Sequence, residues 1–99
     1  MKYIVLFEDA ANADPNIRKT HLKAHLGFLE ERGIEAAGPL ADPKGAGRDG
    51  LWIVEARNVD TVEALVREDP FWPTGLRACY TIIPWKQVFA NGRRLIEPN

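Results

Sequence analysis

The order of extended and helical segments constrains the fold of this chain more than any single motif does. Three segments are short and rich in β-branched, aromatic and other apolar residues, which is typical of strands, and a fourth, Ile34–Leu40, is a weaker strand segment that includes Gly38 and Pro39. Two others repeat apolar residues with the 3.6-residue period of an amphipathic helix. The predicted elements are, in chain order, strand Lys2–Phe7, helix Asn16–Arg32, strand Ile34–Leu40, strand Leu51–Ala56, helix Asn58–Glu68 and strand Arg77–Ile83, with Trp85–Phe89 as an extension of the last strand. The order βαββαβ predicts an α+β, ferredoxin-like fold, in which an antiparallel sheet carries two helices on one face.

Two of the predicted strands, Lys2–Phe7 and Leu51–Ala56, carry apolar residues on both of their faces. Two helices cover only one face of a four-stranded antiparallel sheet, so the second face needs another partner. A symmetric homodimer that packs sheet against sheet covers that face with the fewest assumptions. The sequence therefore predicts a homodimer.

Composition and charge exclude several classes of protein. A chain of 99 residues corresponds to a single domain, residues 1–99. Its 13 basic and 14 acidic residues nearly cancel, and no basic run is longer than Arg93–Arg94, so nucleic acid is not an expected partner. No stretch approaches the roughly 20 apolar residues that span a bilayer, and the N-terminal segment turns acidic too early for a signal sequence. A membrane is therefore not an expected partner either.

The chain has a single cysteine, Cys79, and so cannot form an intrachain disulfide. This usage fits a reducing compartment, and we expect a cytoplasmic protein. Cys79 lies in the apolar-rich segment ACYTII, so it is expected to be a small core residue. A reactive thiol is the alternative.

Three local signals predict where elements begin and end. Asp60 and Glu63 have the spacing of a capping box at the start of the second helix, with Asp in place of Ser or Thr. Pro70 lacks an amide donor and favours an extended Asp69, so this helix should end there. Asn91–Gly92 is a two-residue hairpin signal near the C-terminus, with a frayed tail as the alternative.

The first predicted helix carries two histidines on its apolar side. At 100° per residue, His21 and His25 fall within the arc of the apolar side chains. The members of that arc are Ile17, Leu22, Leu26, Phe28 and Leu29. A buried polar group without a partner costs roughly 1–3 kcal/mol, so each imidazole should have a hydrogen-bond partner. A partnered histidine that faces inward is also how a functional site is built.

His21 and His25 are four residues apart, a spacing that can bind a metal from one face of a helix. The zincin motif, however, requires Glu at the position of Leu22, and no third ligand is evident. The sequence therefore predicts no metal. His25 is expected on the core or pocket wall, where it would contact substrate and bond to a carbonyl.

Together with Asp69, His21 is a candidate acid/base residue. A carboxylate at the C-terminal end of a helix opposes the helix dipole, at a cost of some tenths of a kcal/mol. A nearby imidazolium would offset this cost, and a simple turn residue before Pro70 is the alternative. An Asp that orients a His fixes its tautomer and raises its basicity, as acid/base catalysis requires. The chain contains no serine, which excludes a Ser-His-Asp hydrolase.

The segment Gly45 to Gly50 (GAGRDG) formally matches the GxGxxG pattern of dinucleotide sites. That pattern must open a helix whose N-terminus holds the pyrophosphate, whereas a strand follows here. We therefore expect a flexible hairpin loop and no cofactor. Arg48 in this loop is a candidate anion contact above a pocket.

Several landmarks together resemble the YciI-like (YCII-related) family. In their usual order and spacing they are Arg18-x-x-His21-Leu22, Gly38-Pro39, Asp69-Pro70-Phe71 followed by Gly75, Pro84-Trp85 and Val88-Phe89. The resemblance covers residues 1–89 and leaves 90–99 as a C-terminal extension. It implies a dimeric α+β barrel of ferredoxin-like subunits, with a His-Asp dyad that maps onto His21 and Asp69. His25 has no equivalent in the family pattern. One branch of the family is associated with dehydrochlorination of chlorinated aromatic-pathway intermediates.

We therefore expect a cofactor-free, lyase- or isomerase-like enzyme that abstracts a proton from a small cyclic or aromatic-derived acid. His21 would be the base and Asp69 its orienting partner. The expected substrate-binding residues are Arg18 and Arg48 as anion contacts, Phe71 and Trp72 as apolar wall, and His25. The competing hypothesis is a non-catalytic small-ligand-binding or structural accessory domain, in which the dyad is a satisfied core pair.

Overall fold

The computed structural model of the protein describes residues 1–44 and 48–98. Within these residues the elements are β1 Lys2–Asp9, α1 Asn16–Arg32, β2 Ala36–Pro39, β3 Gly50–Glu55, α2 Val59–Glu68, β4 Arg77–Trp85, β5 Phe89–Ala90 and β6 Arg93–Arg94. The first four strands form an antiparallel sheet in the order β2-β3-β1-β4. The fold is therefore the predicted α+β, ferredoxin-like fold. Neither of the described helices combines the length and apolarity that crossing a membrane requires.

The core lies between the two helices and one face of this sheet. Successive side chains of a strand point to opposite faces, so alternate residues of β1 and β3 are buried here. The buried cluster consists of Tyr3, Val5, Phe7, Trp52, Val54, Val62 and Val66. Phe28 and Leu29 of α1 pack against it. Burial of a large apolar side chain contributes about 1.5–3 kcal/mol, so this cluster holds both helices on the sheet.

α1 places fewer residues in the core than its sequence pattern predicts. His25 is its buried residue, whereas Leu22 and Leu26 are 47% and 48% exposed. Both leucines line a cavity that separates this part of α1 from β2 and β3. The prediction that these leucines face the core is therefore wrong, because the helix and the sheet do not meet at that point.

α2 begins two residues earlier than a cap at Asp60 would imply. The side-chain oxygen of Asn58 accepts a hydrogen bond from the backbone N–H of Thr61 at 2.9 Å. This is the usual bond from the N-cap residue to the third helical residue. The predicted capping box of Asp60 and Glu63 is therefore wrong. The predicted end is confirmed, since Asp69 is extended, with φ −60° and ψ 131°, after the last helical residue.

The C-terminal hairpin signal is confirmed. β5 and β6 pair around Asn91–Gly92. Both turn residues have positive φ, 53° and 76°, as a two-residue type I′ turn requires. β4 ends at Trp85, so the predicted extension of that strand to Phe89 is wrong.

The edge strand β2 is shorter than the predicted segment Ile34–Leu40. It spans Ala36–Pro39, and all of its residues are exposed. It pairs on one side only, with β3, which suits a strand that contains Pro39. Gly45 to Gly47, the first part of the predicted hairpin loop, lie outside the described residues.

A register shift interrupts the pairing of β1 with β4. Cys79 pairs with Glu8, and Arg77 pairs with the next residue of β1, so Ala78 between them has no partner. One extra residue in a strand reverses the alternation of faces beyond it. Arg77 consequently faces the core side of the sheet, where its guanidinium carbon lies 3.8 Å from the centroid of the Phe7 ring.

The other face of the sheet is apolar and carries no helix in the described part of the chain. Ile4 of β1 lies between Ile53 of β3 and Ile83 of β4. Ile83 is 40% exposed. An apolar face of this kind is the surface on which the homodimer prediction depends.

Cys79 lies on this open face and is exposed. The prediction of a core residue is wrong, because the alternation along β4 turns Cys79 away from the helices and toward Glu8. Its thiol donates a hydrogen bond to the Glu8 carboxylate at 3.0 Å. This bond raises the pKa of Cys79, which disfavours the thiolate form that a reactive cysteine needs.

Candidate active site

A buried carboxylate, that of Asp69, organises the site. The backbone N–H of Asp69 closes the last turn of α2 by donating to the carbonyl of Leu65 at 3.1 Å. The extended conformation before Pro70 ends the helix there, and Asp69 is fully buried. Its Oδ1 accepts a hydrogen bond from the backbone N–H of Phe71 at 3.0 Å. This bond to the backbone two residues later holds the carboxylate in place.

His25 is the histidine that pairs with Asp69. Its Nδ1 lies 2.8 Å from Asp69 Oδ1, and its ring stacks on Phe71 with centroids 4.1 Å apart. His21 is half-buried and, in the described part of the chain, makes no hydrogen bond with Asp69. The prediction that His21 is the partner is therefore wrong. A step of four residues turns a helix by only about 40° but moves about 6 Å along its axis, and α2 ends at the level of His25.

Arg77 completes the cluster and was not identified from the sequence. Its Nη1 donates to Asp69 Oδ2 at 2.8 Å, and its side chain is 6% exposed. The guanidinium carbon also lies 5.4 Å from the centroid of the Phe71 ring, within the range of a cation–π contact. The available signal was a lone cation at the start of an otherwise apolar strand.

The charges of this cluster are mutually balanced. Burial raises the pKa of Asp69, but hydrogen bonds from His25 and Phe71 and the charge of Arg77 outweigh burial and hold the pKa below its ordinary value of 3.8. Burial lowers the pKa of Arg77, and the charge of Asp69 opposes that effect. A hydrogen-bonded ion pair therefore lies behind the His25 ring.

A cavity of about 290 Å³ lies beside the cluster, between α1 and the β2–β3 side of the sheet. Most of its wall is apolar and includes Phe7, Leu22, Leu26, Trp52 and Phe71. Its ionisable groups, among the described residues, are Arg18, Lys19, His25 and Arg77. The cavity is near the lower end of the ~300–1,000 Å³ range of small-molecule pockets.

The second ring nitrogen of His25 is in contact with solvent. Nδ1 is engaged by Asp69, and Nε2 makes no hydrogen bond within the described residues. In that part of the chain no buried side-chain nitrogen or oxygen lacks a partner, so Nε2 is in contact with solvent. His25 itself lines the cavity. The imidazole thus connects a buried carboxylate to a space that a small molecule can enter.

The other predicted site residues occupy different positions. Phe71 lines the cavity, and Arg18 does too, although the Arg18 guanidinium is bound to the carboxylate of Asp9 at the end of β1. Arg48 precedes β3, is exposed and is not part of the cavity wall. Trp72 lies in a 3₁₀ turn that directs it to Tyr80, where the rings meet edge to face at 5.3 Å. His21 is not on the cavity wall.

No group of three or more His, Cys, Asp or Glu side chains that could hold a metal ion occurs in residues 1–44 and 48–98. That the protein needs no metal stays a prediction of the sequence.

Solved structures of other proteins resemble this one. The 5-chloro-2-hydroxyhydroquinone dehydrochlorinase TftG from Burkholderia phenoliruptrix AC1100, in complex with 2,5-dihydroxybenzoquinone, is 28% identical in sequence. The match has a TM-score of 0.69 and covers 87% of this chain and 94% of TftG. At3g17210 from Arabidopsis thaliana is 12% identical, with a TM-score of 0.52 over 91% of this chain and 97% of that one. PHS023 from Pyrococcus horikoshii is 12% identical, with a TM-score of 0.50 over 83% and 84%. The last two share the fold alone.

Sequence comparison gives the family. No curated protein matches the chain. The family model of the YCII-related domain matches residues 1–86, close to the extent of the resemblance described above. The chain therefore belongs to the YCII-related domain family.

Proposed function

We propose that this protein is a cofactor-independent acid/base enzyme, lyase- or isomerase-like, that acts in the cytoplasm on a small cyclic or aromatic-derived acid. One observation carries the proposal: the imidazole of His25, which lines the cavity, bonds to the buried Asp69 through Nδ1 and leaves Nε2 in contact with solvent. The proposal keeps the expected His-Asp dyad with Asp69 as the carboxylate, and His25 takes the place of His21 as the histidine. The proposal of a cytoplasmic location is supported by the single cysteine, which cannot form an intrachain disulfide.

The geometry suits proton abstraction. Because Asp69 is ionised and accepts at Oδ1, we assign the proton of neutral His25 to Nδ1, which leaves the Nε2 lone pair free to accept a proton. The resulting imidazolium is stabilised by the carboxylate beside it. Arg77 holds the second oxygen of Asp69, so the orientation of the carboxylate does not change when His25 gains its proton.

The similarity to TftG suggests which reaction to test first. Dehydrochlorination removes a proton and a chloride ion from one molecule, and it needs no oxidant. In this site His25 would accept the proton at Nε2, and the electron pair left on the substrate would expel chloride as the carbon–chlorine bond breaks. The cavity of about 290 Å³ is suited to one substituted ring.

The test compares two histidines on the same helix. The candidate substrate is 5-chloro-2-hydroxyhydroquinone, followed by related halogenated hydroxyquinones and lactones, and the assay is chloride release. His25→Gln should lower kcat by roughly 10²–10⁴-fold, the usual contribution of a general base. His21→Gln is the matched control and should keep activity near that of the wild-type protein.

Two results would contradict the proposal. Activity that survives in His25→Gln, with the fold intact by circular dichroism, would remove His25 from the chemistry. Wild-type protein that binds 2,5-dihydroxybenzoquinone but converts none of the candidate substrates would favour the non-catalytic ligand-binding alternative.

We also propose that the protein acts as a homodimer joined through the open face of the sheet. Support comes from the isoleucine row of Ile4, Ile53 and Ile83, which no described helix covers. Packing this face against a second copy would remove its apolar side chains from water.

A further inference from the structure

The charges on the cavity wall do not balance. Three cationic side chains line it, Arg18, Lys19 and Arg77, and no carboxylate of the described residues does. The charge of Arg77 is neutralised by Asp69, which is not itself on the cavity wall. The charge of Arg18 is neutralised by Asp9, since Arg18 Nη1 lies 2.7 Å from Asp9 Oδ2. In the described part of the chain Lys19 has no ion-pair partner. One positive charge on the wall is therefore left uncompensated.

The position of Lys19 on α1 is a second, independent observation. Lys19 lies in the first turn of the helix, where a cation opposes the helix dipole by about 0.3–1 kcal/mol. That turn contains no acidic residue that would offset the cost. Lys19 precedes His25 by six residues, which is about 9 Å along the helix axis, and both residues line the same cavity. A single ring bound between them would present opposite edges to the ammonium group and to the imidazole.

We propose that Lys19 makes the cavity select ring substrates that carry a negative charge, such as a phenolate or an enolate. Its ammonium group contacts the oxyanion at the edge of the ring away from His25. The inference deepens the proposed function, because it takes the cavity to be the substrate site. It assigns to Lys19 the anion-binding role that the sequence suggested for Arg18 and Arg48.

The test measures binding without turnover. The probes are 2,5-dihydroxybenzoquinone, whose acidic hydroxyl groups are ionised at neutral pH, and its uncharged dimethoxy analogue. Affinity is measured by titration calorimetry for the wild-type protein and for Lys19→Gln, Lys19→Arg and Lys23→Gln. Lys23 is the matched control, since it lies one turn later on α1, is exposed and is not on the cavity wall.

Lys19→Gln should weaken binding of the anionic quinone about tenfold, the scale of one charge-assisted hydrogen bond partly screened by water. Lys23→Gln should leave this affinity unchanged, and Lys19→Arg should retain most of it. Binding of the dimethoxy analogue should be the same in all four proteins. Added salt should reduce the difference between wild-type protein and Lys19→Gln, because an exposed ammonium is screened.

Equal effects of Lys19→Gln and Lys23→Gln would overturn the inference, and so would a wild-type protein that does not prefer the anionic quinone. Failure of the proposed reaction gives a different result. In that case the wild-type protein releases no chloride, while the dependence of quinone binding on Lys19 persists.

Discussion

Replacing Asp69 by Asn should destabilise the protein mainly by leaving Arg77 as a buried charge without a partner. The Asn side chain can still accept hydrogen bonds from His25 and from the Phe71 N–H through its oxygen. Its amide group would then face Arg77, donor against donor, across the present 2.8 Å contact. Because the Arg77 side chain is only 6% exposed, water cannot replace the lost carboxylate.

The expected loss is about 3–5 kcal/mol, the usual effect of removing one partner of a buried ion pair. That is a large part of the roughly 5–15 kcal/mol that stabilises a domain of this kind. Adding Arg77→Met should restore much of the loss, because a methionine is apolar and fits among the rings of Phe7, Trp52 and Phe71 that surround the guanidinium. The double variant should therefore be more stable than Asp69→Asn alone.

Urea unfolding at pH 7 and one fixed protein concentration measures these differences, with tryptophan fluorescence as the signal. The two single variants and the double variant form a double-mutant cycle. The reasoning is refuted if Asp69→Asn costs less than about 1 kcal/mol, which is the scale of an exposed pair. Additive effects of the two substitutions would refute it too.

Three further predictions follow from the fold and the site. Because the folded pKa of Asp69 lies below its ordinary 3.8, the stability that its ionisation contributes is present above that value and is lost as pH falls through the folded pKa. The stability difference between wild-type protein and Asp69→Asn should thus shrink in urea titrations as the pH falls below about 4. Light scattering should give about twice the 11.1 kDa chain mass, and Ile83→Asp on the open face should yield monomer, whereas Val59→Asp on α2 should not. Elemental analysis of untagged protein should find less than one zinc, iron or manganese ion per chain, and one tightly held ion would overturn the metal-free prediction.

The order of the elements could be predicted because strand and helix periodicities are local properties of the sequence. The turn at Asn91–Gly92 and the end of α2 at Asp69 were predictable for the same reason, since each depends on the backbone preferences of one or two residues. The capping residue of α2 was not, because both Asn58 and Asp60 are good capping residues and only the backbone geometry decides between them.

The site was only partly predictable, because its geometry depends on how separate elements meet. A helical wheel places both His21 and His25 on the inward side of α1. It gives no information on the position along the α1 axis at which α2 approaches. Leu22 and Leu26 satisfy the apolar pattern, yet they line a cavity that no pattern on a single helix reveals. Arg77 was missed because regular alternation from Tyr80 back along β4 would place it on the open face.

The unpaired Ala78 therefore has a consequence for how this site varies among related chains. If Ala78 itself paired with Asp9 in an uninterrupted ladder, Arg77 would turn to the side of the sheet where Cys79 now lies. Asp69 and His25 would remain in place, but the aspartate would lose its counter-charge although no residue of the site had been exchanged. A relative without this bulge would need a cation from another position to balance the same aspartate. The register of this strand corner, and not only the identity of the residues in it, thus determines the electrostatics behind the imidazole.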